Sequence, residues 1–397
     1  MRGTHPISLL FTPLELRGRI ARNRVMVSPM QQYASPDGLA NDYHLVHLGR
    51  FALGGAGIVI AEATAIEPAG RVAAADLGLW SDVQIPGLKR VADFLRNYGA
   101  VPGIQLIHAG RKGAMQAPWN GAGPLTQADA ARGEPPWQVL GPSAISAGAG
   151  WQVPIEMSVA EIVRNIGLWA QAAARAAQAG FDIIDLHGAH GYLLHSFLSP
   201  LSNQRSDRYG GSLNNRMRYP IEVAEAIRAA IPDHVSLFYR LSLLDGLAGG
   251  WTLDDSVILA KELFARGVDV LDCSSGGAIA DRSSDSRVRR GYAFHAPYSR
   301  ELKARTGGMV ATVGLIVDPH QAEAVLQAGD ADIVALGREL LLEPSWTNRA
   351  RHALLGEEYD SWHREAGWWL QRRMPALQAL REAGETPLTR YQGNTGS

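Results

Sequence analysis

Eight short apolar runs recur along the chain, and they constrain its fold more than any other feature. They are VMVSP (25–29), GIVIAEA (57–63), GIQLIHAG (103–110), DIIDLHG (182–188), SLFYRLS (236–242), VDVLDCSS (268–275), MVATVG (309–314) and DIVALG (332–337). The runs are rich in β-branched and aliphatic residues and are bounded by Gly, Ser, Pro or polar residues, which is typical of strands. Because they are almost continuously apolar, they indicate parallel strands buried on both faces.

Amphipathic stretches long enough for helices separate these runs, as parallel pairing requires. A capping-box-like start at Thr252 opens LDDSVILAKELFARG, which Gly267 ends, and Asp318 opens PHQAEAVLQAG, which Gly329 ends. Eight βα units in about 340 residues predict an α/β fold of the (β/α)8 TIM barrel type. A doubly wound sheet is disfavoured, because no G-x-G-x-x-G follows the first strand and polar residues follow nearly all the strands.

Two segments fall outside the simple barrel, which we place at residues 1–345. Residues 111–158 are rich in Gly, Pro and Ala and too long for an ordinary βα connection, so they predict a rim insertion or lid at the active face. Residues 346–397 form a predicted C-terminal extension. Its tryptophans have two interpretations, core packing or a subunit contact, and they are Trp346, Trp362, Trp368 and Trp369.

The composition excludes several classes of function. The formal net charge is −1 and no segment concentrates Lys or Arg without acidic neighbours, so we expect no nucleic-acid partner and no membrane surface. Cys273 is the only cysteine and is interpreted as a core residue, which excludes intrachain disulfides, thiolate zinc sites and cysteine-ligated iron–sulfur clusters. No run reaches about 18 uncharged apolar residues, and no signal-peptide pattern is present. These features predict a cytoplasmic enzyme.

The residues at the C-terminal ends of the predicted strands face the active site in barrels of this type. Most of them are hydrogen-bond donors, namely Ser28, Gln31, Thr64, Gln105, His108, His187, His190, Arg240, Ser274, Ser275 and Arg338. The ends carry no lysine for a Schiff base and no convincing carboxylate pair for a glycosidase. A barrel end lined by donors suits an electron-rich planar cofactor with a phosphate. Gly314, Gly337 and Arg338, which follow the last two strands, would bind that phosphate.

A metal centre is the main alternative of a different class. His187 and His190, together with Glu62, would be its ligands in a non-redox lyase or hydrolase. Barrels of that kind typically carry a histidine pair on the first strand, where this chain has VSPM. We therefore predict no metal, and metal analysis of the purified protein distinguishes the two.

Several segments resemble the Old Yellow Enzyme family of FMN-dependent ene-reductases, in particular its thermophilic-like branch. They are LFTPLELRGRIARNRVMVSPMQQYAS, GIQLIHAGRKG, DLHGAHGYLLHSFLSPLSNQRSDRYGGSLNNRMRYPIEV, YRLS, TVGLI and GRELLLEPSW. The resemblance runs from residue 9 to 347 and is most specific in the block 185–220. It implies an enzyme that binds FMN without a covalent link, oxidises NAD(P)H and reduces the C=C bond of α,β-unsaturated carbonyl compounds.

The resemblance also implies roles for individual residues at the flavin. Pro29, Met30 and Ala63 would contact the isoalloxazine. Gln105 would hydrogen-bond its pyrimidine edge, and Arg240 would lie near N1 and O2. The phosphate would be held by residues after the last two strands, Gly314, Gly337 and Arg338.

Further roles implied by the resemblance concern the substrate. His187 and His190 would each donate an N–H to its carbonyl oxygen, and Tyr33 would hydrogen-bond the same oxygen. Hydride would then pass from flavin N5 to Cβ, while Tyr192 would protonate Cα. Relatives in this branch are often homodimers or homotetramers in which a C-terminal arginine reaches the neighbouring site. Arg372 and Arg373 are candidates for that arginine, although the tail diverges too far to assign one.

Gln31 departs from the pattern of the branch. Many members have a cysteine at this flavin-contacting position, where it tunes the redox potential, and an amide cannot ionise as a thiol does. Two further alternatives stay open. One is a related flavin reductase of an acyl thioester or aromatic ring, with residues 111–158 as its pocket wall, and the other is a flavin-binding module without turnover.

Overall fold

The computed structural model describes residues 8–280, 288–356 and 359–389. The strands are β1 (Leu14–Leu16), β2 (Arg19–Ala21), β3 (Val25–Val27), β4 (Ile58–Ala65), β5 (Val101–Ile107), β6 (Leu140–Gly141), β7 (Ile155–Glu156), β8 (Ile183–Gly188), β9 (Ser236–Ser242), β10 (Val270–Ser274), β11 (Met309–Thr312) and β12 (Ile333–Leu336). The α-helices are α1 (Asp42–Leu53), α2 (Ile85–Asn97), α3 (Val159–Gln178), α4 (Leu193–Leu198), α5 (Leu213–Ala230), α6 (Leu253–Ala265), α7 (Ala296–Thr306), α8 (Pro319–Gln327), α9 (Arg338–Leu342), α10 (Trp346–Leu355) and α11 (Arg364–Glu382).

Eight of these strands form a closed barrel in the order β10-β11-β12-β3-β4-β5-β8-β9, and neighbouring strands run parallel. The predicted (β/α)8 TIM barrel is therefore confirmed, with each apolar run forming one strand. Some strands stop before their runs end: β3 stops at Val27, two residues short of the end of the first run, and β5 stops at Ile107, three residues short of the end of the third. The Ser28 N–H, just beyond the end of β3, still bonds to Leu336 O at 2.8 Å.

The barrel encloses its own core. Side chains that point inward from the strands include Met26, Ile60 and Phe238, and they form one buried cluster with Leu14 and Leu16 of the β1–β2 hairpin. This hairpin closes the N-terminal end of the barrel. The other face of each strand packs against the helices in a second, larger cluster that contains Cys273. Because both faces are covered, the strands lack the alternation of polar and apolar residues seen in half-exposed sheets.

The predicted helix boundaries are confirmed by their caps. Before α6, the Thr252 side chain accepts the Asp255 N–H and Asp255 reciprocates, which completes a capping box. The Asp318 carboxylate accepts two backbone N–H groups at the start of α8. Gly267 and Gly329 follow the two helices with φ of +86° and +72°, a left-handed geometry that favours glycine.

The segments outside the barrel differ in their burial. Residues 111–158 contain short turns and the small β6–β7 pair. In the C-terminal extension, Trp346 is buried and donates to Val317 O at 2.9 Å, whereas Trp368 and Trp369 on α11 are 50% and 68% exposed. The tail at 390–397 lies outside the described residues. Among the helices of the described ranges, none is long and apolar enough to cross a membrane.

Candidate active site

A cavity of about 660 Å³ opens at the C-terminal ends of the barrel strands. Four of the predicted site residues line it, and they are Tyr33, His190, Tyr192 and Arg338. The insertion contributes to the wall through Met115, Pro118, Ala122 and Trp151. The other predicted residues are not in the wall, and they are Pro29, Met30, Gln31, Ala63, Gln105, His187, Arg240, Gly314 and Gly337.

The strand register explains where several of these residues lie. Ala63 of β4 pairs with Gln105 of β5, and Gln105 pairs with Asp185 of β8. One level closer to the mouth, His187 pairs with Arg240 of β9. The parallel register therefore stacks the predicted flavin and substrate residues in adjacent layers at one end of the barrel.

A strained turn after β8 presents His190 to the cavity. His190 has φ +59° and Gly191 has φ +77°, so two successive residues are left-handed. A Cβ at Gly191 would lie 2.2 Å from Gly277 O, which means that only glycine fits there. The turn is held by Lys112, whose Nζ donates to His190 O at 2.8 Å and to Gly277 O at 3.1 Å. Burial lowers the pKa of Lys112 to about 8.

The two histidines of the turn face each other. His187 Nε2 lies 3.4 Å from His190 Nδ1, and His187 Nδ1 accepts the Ala189 N–H at 3.3 Å. This acceptor role places the His187 proton on Nε2. Burial, reinforced by the positive charge of Arg240, lowers the pKa of both imidazoles well below its usual value. The pair is therefore neutral at physiological pH and offers N–H groups without a full charge.

Two tyrosines complete this end of the cavity. The Tyr192 ring packs edge-on against His187, with centroids 4.8 Å apart, and burial raises the pKa of its phenol. Burial, and then the nearby carboxylates of Asp76 and Glu62, raise the pKa of Tyr33 to about 12. Both phenols thus keep their protons in the neutral range, so each can donate a hydrogen bond or a proton.

Arg240 lies among buried carboxylates below the mouth. Its Nε is 3.3 Å from Asp272 Oδ2 but has no hydrogen bond within the described residues. Gln105 Nε2 donates to Asp185 Oδ2 at 2.7 Å. An arginine in an apolar strand needs a buried partner, and Asp272 is that partner. Sequence reasoning missed Asp185 and Asp272, although both interrupt otherwise apolar runs.

The carboxylates of Asp185 and Asp272 are buried and accept few hydrogen bonds. Within the described residues, Asp185 Oδ1 and both oxygens of Asp272 have no hydrogen-bond partner. Burial raises the pKa of both groups, the negative charge of Asp272 raises that of Asp185 further, and Arg240 opposes the shift. A proton held on this pair relieves the repulsion between two buried like charges.

This geometry predicts that protonated Asp185 stabilises the fold and that this contribution is lost as the pH rises. A carboxyl whose pKa is higher in the folded state than its unfolded value of about 3.9 stabilises the fold while it is protonated. This contribution is fully present below about pH 3.9 and is lost as the pH rises through the pKa of the folded state. The pKa of Asp185 is raised to about 8. Between about pH 4 and pH 8 we expect the Tm of the wild type to fall relative to the Tm of Asp185→Asn, as measured by scanning calorimetry. Asp254→Asn removes a carboxylate that is 80% exposed, and its Tm should depend on pH as that of the wild type does. The same dependence of Tm on pH in the wild type, Asp185→Asn and Asp254→Asn would contradict the role of Asp185.

The polar groups near Gln31 do not assemble a metal centre. Glu62 Oε2 accepts the Gln32 N–H at 2.7 Å, and Glu62 Oε1 lies 3.3 Å from His44 Nε2. Across residues 8–280, 288–356 and 359–389, no group of three or more His, Cys, Asp or Glu side chains is placed to hold a metal ion. The proposed ligand set of Glu62, His187 and His190 is therefore not brought together. Gln31 Nε2 is buried and has no hydrogen-bond partner among these same residues.

The opposite end of the cavity brings together Arg338, at the start of α9, and residues beside Gly314. Gly314 has φ +119°, and a Cβ there would lie 3.0 Å from His295 Nδ1. His295 joins two strand ends, because Nε2 contacts Ser275 Oγ at 2.8 Å and Nδ1 donates to Val313 O at 2.9 Å. Sequence reasoning missed His295, since it lies between strands and no motif marks it.

The cavity thus has tyrosine and imidazole donors at one end and an arginine beside a glycine turn at the other. Gly337 adjoins Met30, whose Sδ would lie 3.5 Å from a Cβ at that glycine. Arg240 Nε and Gln31 Nε2, which form no hydrogen bond within the described part of the chain, are further donors below and beside the cavity. This donor set fits a planar heterocycle that carries a phosphate.

Comparison with known proteins agrees with this chemistry. Residues 9–357 match the NADH:flavin oxidoreductase / NADH oxidase family. The chain is 38% identical to an NADPH dehydrogenase of Geobacillus sp. (strain WCH70), covering 91% of this chain and 99% of that protein. Morphinone reductase superposes with a TM-score of 0.71 at 28% identity, covering 89% of this chain and 92% of that one. A 2-naphthoyl-CoA reductase complex superposes with a TM-score of 0.76 at 25% identity and 89% coverage, and this chain spans 53% of its length.

Proposed function

Because the chain belongs to the NADH:flavin oxidoreductase / NADH oxidase family of Old Yellow Enzyme type, we propose that it reduces activated C=C bonds of α,β-unsaturated carbonyl compounds. It is an FMN-dependent enzyme that uses NAD(P)H as reductant. The observation that carries the proposal is the pair of neutral imidazoles, with His187 Nε2 and His190 Nδ1 3.4 Å apart.

A carbonyl oxygen that lies against both facing nitrogens receives two N–H donors. These donors withdraw electron density from the conjugated alkene and stabilise the negative charge that grows on the oxygen during reduction. When bound, FMN would supply the hydride that reduces Cβ, with NAD(P)H as its source. Each donor is expected to contribute roughly 3 kcal/mol of transition-state stabilisation, by analogy with one oxyanion-hole donor.

Tyr192 is the proposed proton donor to Cα. Its phenol lines the cavity beside His187 and is protonated at neutral pH. The Lys112 ammonium lies 5.2 Å from the centre of the Tyr192 ring and favours the phenolate that proton transfer leaves behind. Tyr33, at the same end of the cavity, is the proposed additional donor to the substrate oxygen.

The residues proposed to hold FMN follow the layers of the barrel. Pro29, Met30, Gln31 and Ala63 would contact the isoalloxazine, and Gln105 would bond its pyrimidine edge. Arg240 would oppose the negative charge of the reduced ring. At the far end of the cavity, Gly314, Gly337 and Arg338 would bind the phosphate.

An anaerobic titration tests the proposal. NAD(P)H is expected to bleach the yellow holoenzyme, and one equivalent of 2-cyclohexenone should restore the oxidised spectrum with formation of cyclohexanone. Cyclohexanone itself, which has no C=C bond to accept hydride, is the control and should leave the flavin reduced. A flavin that NAD(P)H bleaches but that no enone reoxidises would refute the proposal.

A second candidate is a flavin reductase of an acyl thioester or aromatic ring. The likeness to a 2-naphthoyl-CoA reductase complex favours it, as does the contribution of residues 111–158 to the cavity wall. The same titration distinguishes the two, because 2-naphthoyl-CoA would then reoxidise the flavin and 2-cyclohexenone would not.

We also propose a homodimer or homotetramer. Trp368 and Trp369 are exposed on α11, where only Gly367 is buried, so this helix has apolar surface available for a second copy. Arg372 lies against the Trp368 ring, 5.0 Å from its centre. Sedimentation of the purified protein measures the state, and a monomer would refute this assignment. The cytoplasmic location stays a prediction from the sequence.

A further inference from the structure

His190 has a second neighbour besides His187. Its Nε2 lies 2.7 Å from the hydroxyl oxygen of Ser274, the last residue of β10. Ser274 is 4% exposed and also lines the cavity. The three groups thus form a chain in which His187 faces Nδ1 of His190 and Ser274 faces Nε2.

The contacts of His190 allow two arrangements of its proton. His187 carries its proton on Nε2, because its Nδ1 accepts the Ala189 N–H. When no ligand intervenes, His190 Nδ1 accepts from His187, and the His190 proton sits on Nε2 and points at Ser274. When an oxyanion lies against both imidazoles, His190 must donate from Nδ1, so Nε2 becomes an acceptor and needs a donor. A hydroxyl can fill either role by rotating.

We propose that Ser274 is a positioning residue that lets His190 carry its proton on Nδ1 when an oxyanion binds. The inference rests on the proposed function, since it assigns His190 to the substrate oxygen. Ser274 does not touch that oxygen in this role; it acts through the imidazole.

The neighbouring polar groups already form hydrogen bonds or ion pairs of their own, so they cannot replace the Ser274 hydroxyl as the partner of His190 Nε2. The Ser242 hydroxyl donates to Gly276 O at 2.8 Å and accepts the His190 backbone N–H at 3.0 Å. Lys112 directs its ammonium at two backbone carbonyls. Arg240 lies against Asp272.

Ligand binding to the oxidised, FMN-loaded enzyme tests the inference. 4-Nitrophenolate presents one anionic oxygen on a planar ring, and 4-nitroanisole is the same ring with that oxygen methylated. By isothermal titration calorimetry we expect Ser274→Ala to weaken 4-nitrophenolate binding about tenfold, which equals about 1.4 kcal/mol, and to leave 4-nitroanisole binding within about twofold. Ser274→Thr keeps a hydroxyl and should restore the affinity.

Matched variants separate this role from a packing defect. Ser274→Cys conserves the volume but is a weak donor, so it should lose affinity as Ser274→Ala does. Ser236→Ala removes another buried serine, whose hydroxyl has no hydrogen-bond partner in the described residues, and should bind both ligands as the wild type does.

The outcomes distinguish this inference from the proposed function. If Ser274→Ala and Ser274→Cys bind 4-nitrophenolate with wild-type affinity while His190→Ala does not, the role of Ser274 is refuted and the histidine pair stands. If His187→Ala and His190→Ala also bind it with wild-type affinity, the proposed function itself fails. An equal loss for both ligands in Ser274→Ala would show a structural role and overturn the inference.

Discussion

The double variant His187→Ala/His190→Ala is expected to keep FMN, to be reduced by NAD(P)H, and to lose enone reduction. Removal of a single oxyanion donor costs about 10²–10³ in rate, and here both donors to one oxygen are removed. Stopped-flow absorbance separates the two half-reactions. Bleaching by NAD(P)H should proceed, whereas reoxidation of the reduced flavin by 2-cyclohexenone should be too slow to measure against the wild type.

His234→Ala is the matched control, because His234 is exposed in the turn before β9. Both half-reactions should keep their wild-type rates in this variant. If the double variant turned over enone at a substantial fraction of the wild-type rate, the substrate oxygen would not be held by these imidazoles.

Arg240→Ala is expected to lose FMN or to bind it much more weakly. Arg240 is the cation beside Asp272, and its removal leaves the buried carboxylates uncompensated just below the proposed flavin site. Loss of one partner from a buried ion pair lowers the free energy of unfolding by about 3–5 kcal/mol. The ratio of flavin to protein absorbance after gel filtration measures how much FMN stays bound.

Arg240→Lys is the matched variant for charge. It keeps a cation without the planar guanidinium, so we expect it to retain more FMN than Arg240→Ala. Unchanged flavin content and an unchanged redox potential in Arg240→Ala would contradict the placement of this side chain beside the flavin.

The barrel was predictable because burial on both faces gives every strand an almost continuous apolar run in the sequence. Each apolar run matches one strand, and the caps at Thr252 and Asp318 were visible as short motifs. Strand ends were less predictable. The run through Ser28 and Pro29 continues the apolar pattern, but β3 stops at Val27, because a strand end depends on its neighbours and not on composition.

The site was predictable only in part. The resemblance proposed roles for His187, His190 and Tyr192, and the structure brings these three side chains together. The contacts of His190 with Ser274, of Arg240 with Asp272 and of His295 with Ser275 join residues from different strands or from loops between them. The barrel alone sets these pairings, so no local pattern could indicate them.

The position of a bound substrate oxygen tests the central claim most directly. A crystal structure of the FMN-loaded enzyme with 4-nitrophenolate should place the ligand oxygen about 2.6–3.2 Å from both His187 Nε2 and His190 Nδ1. An oxygen bound elsewhere in the cavity, or a metal ion between the two imidazoles, would contradict it.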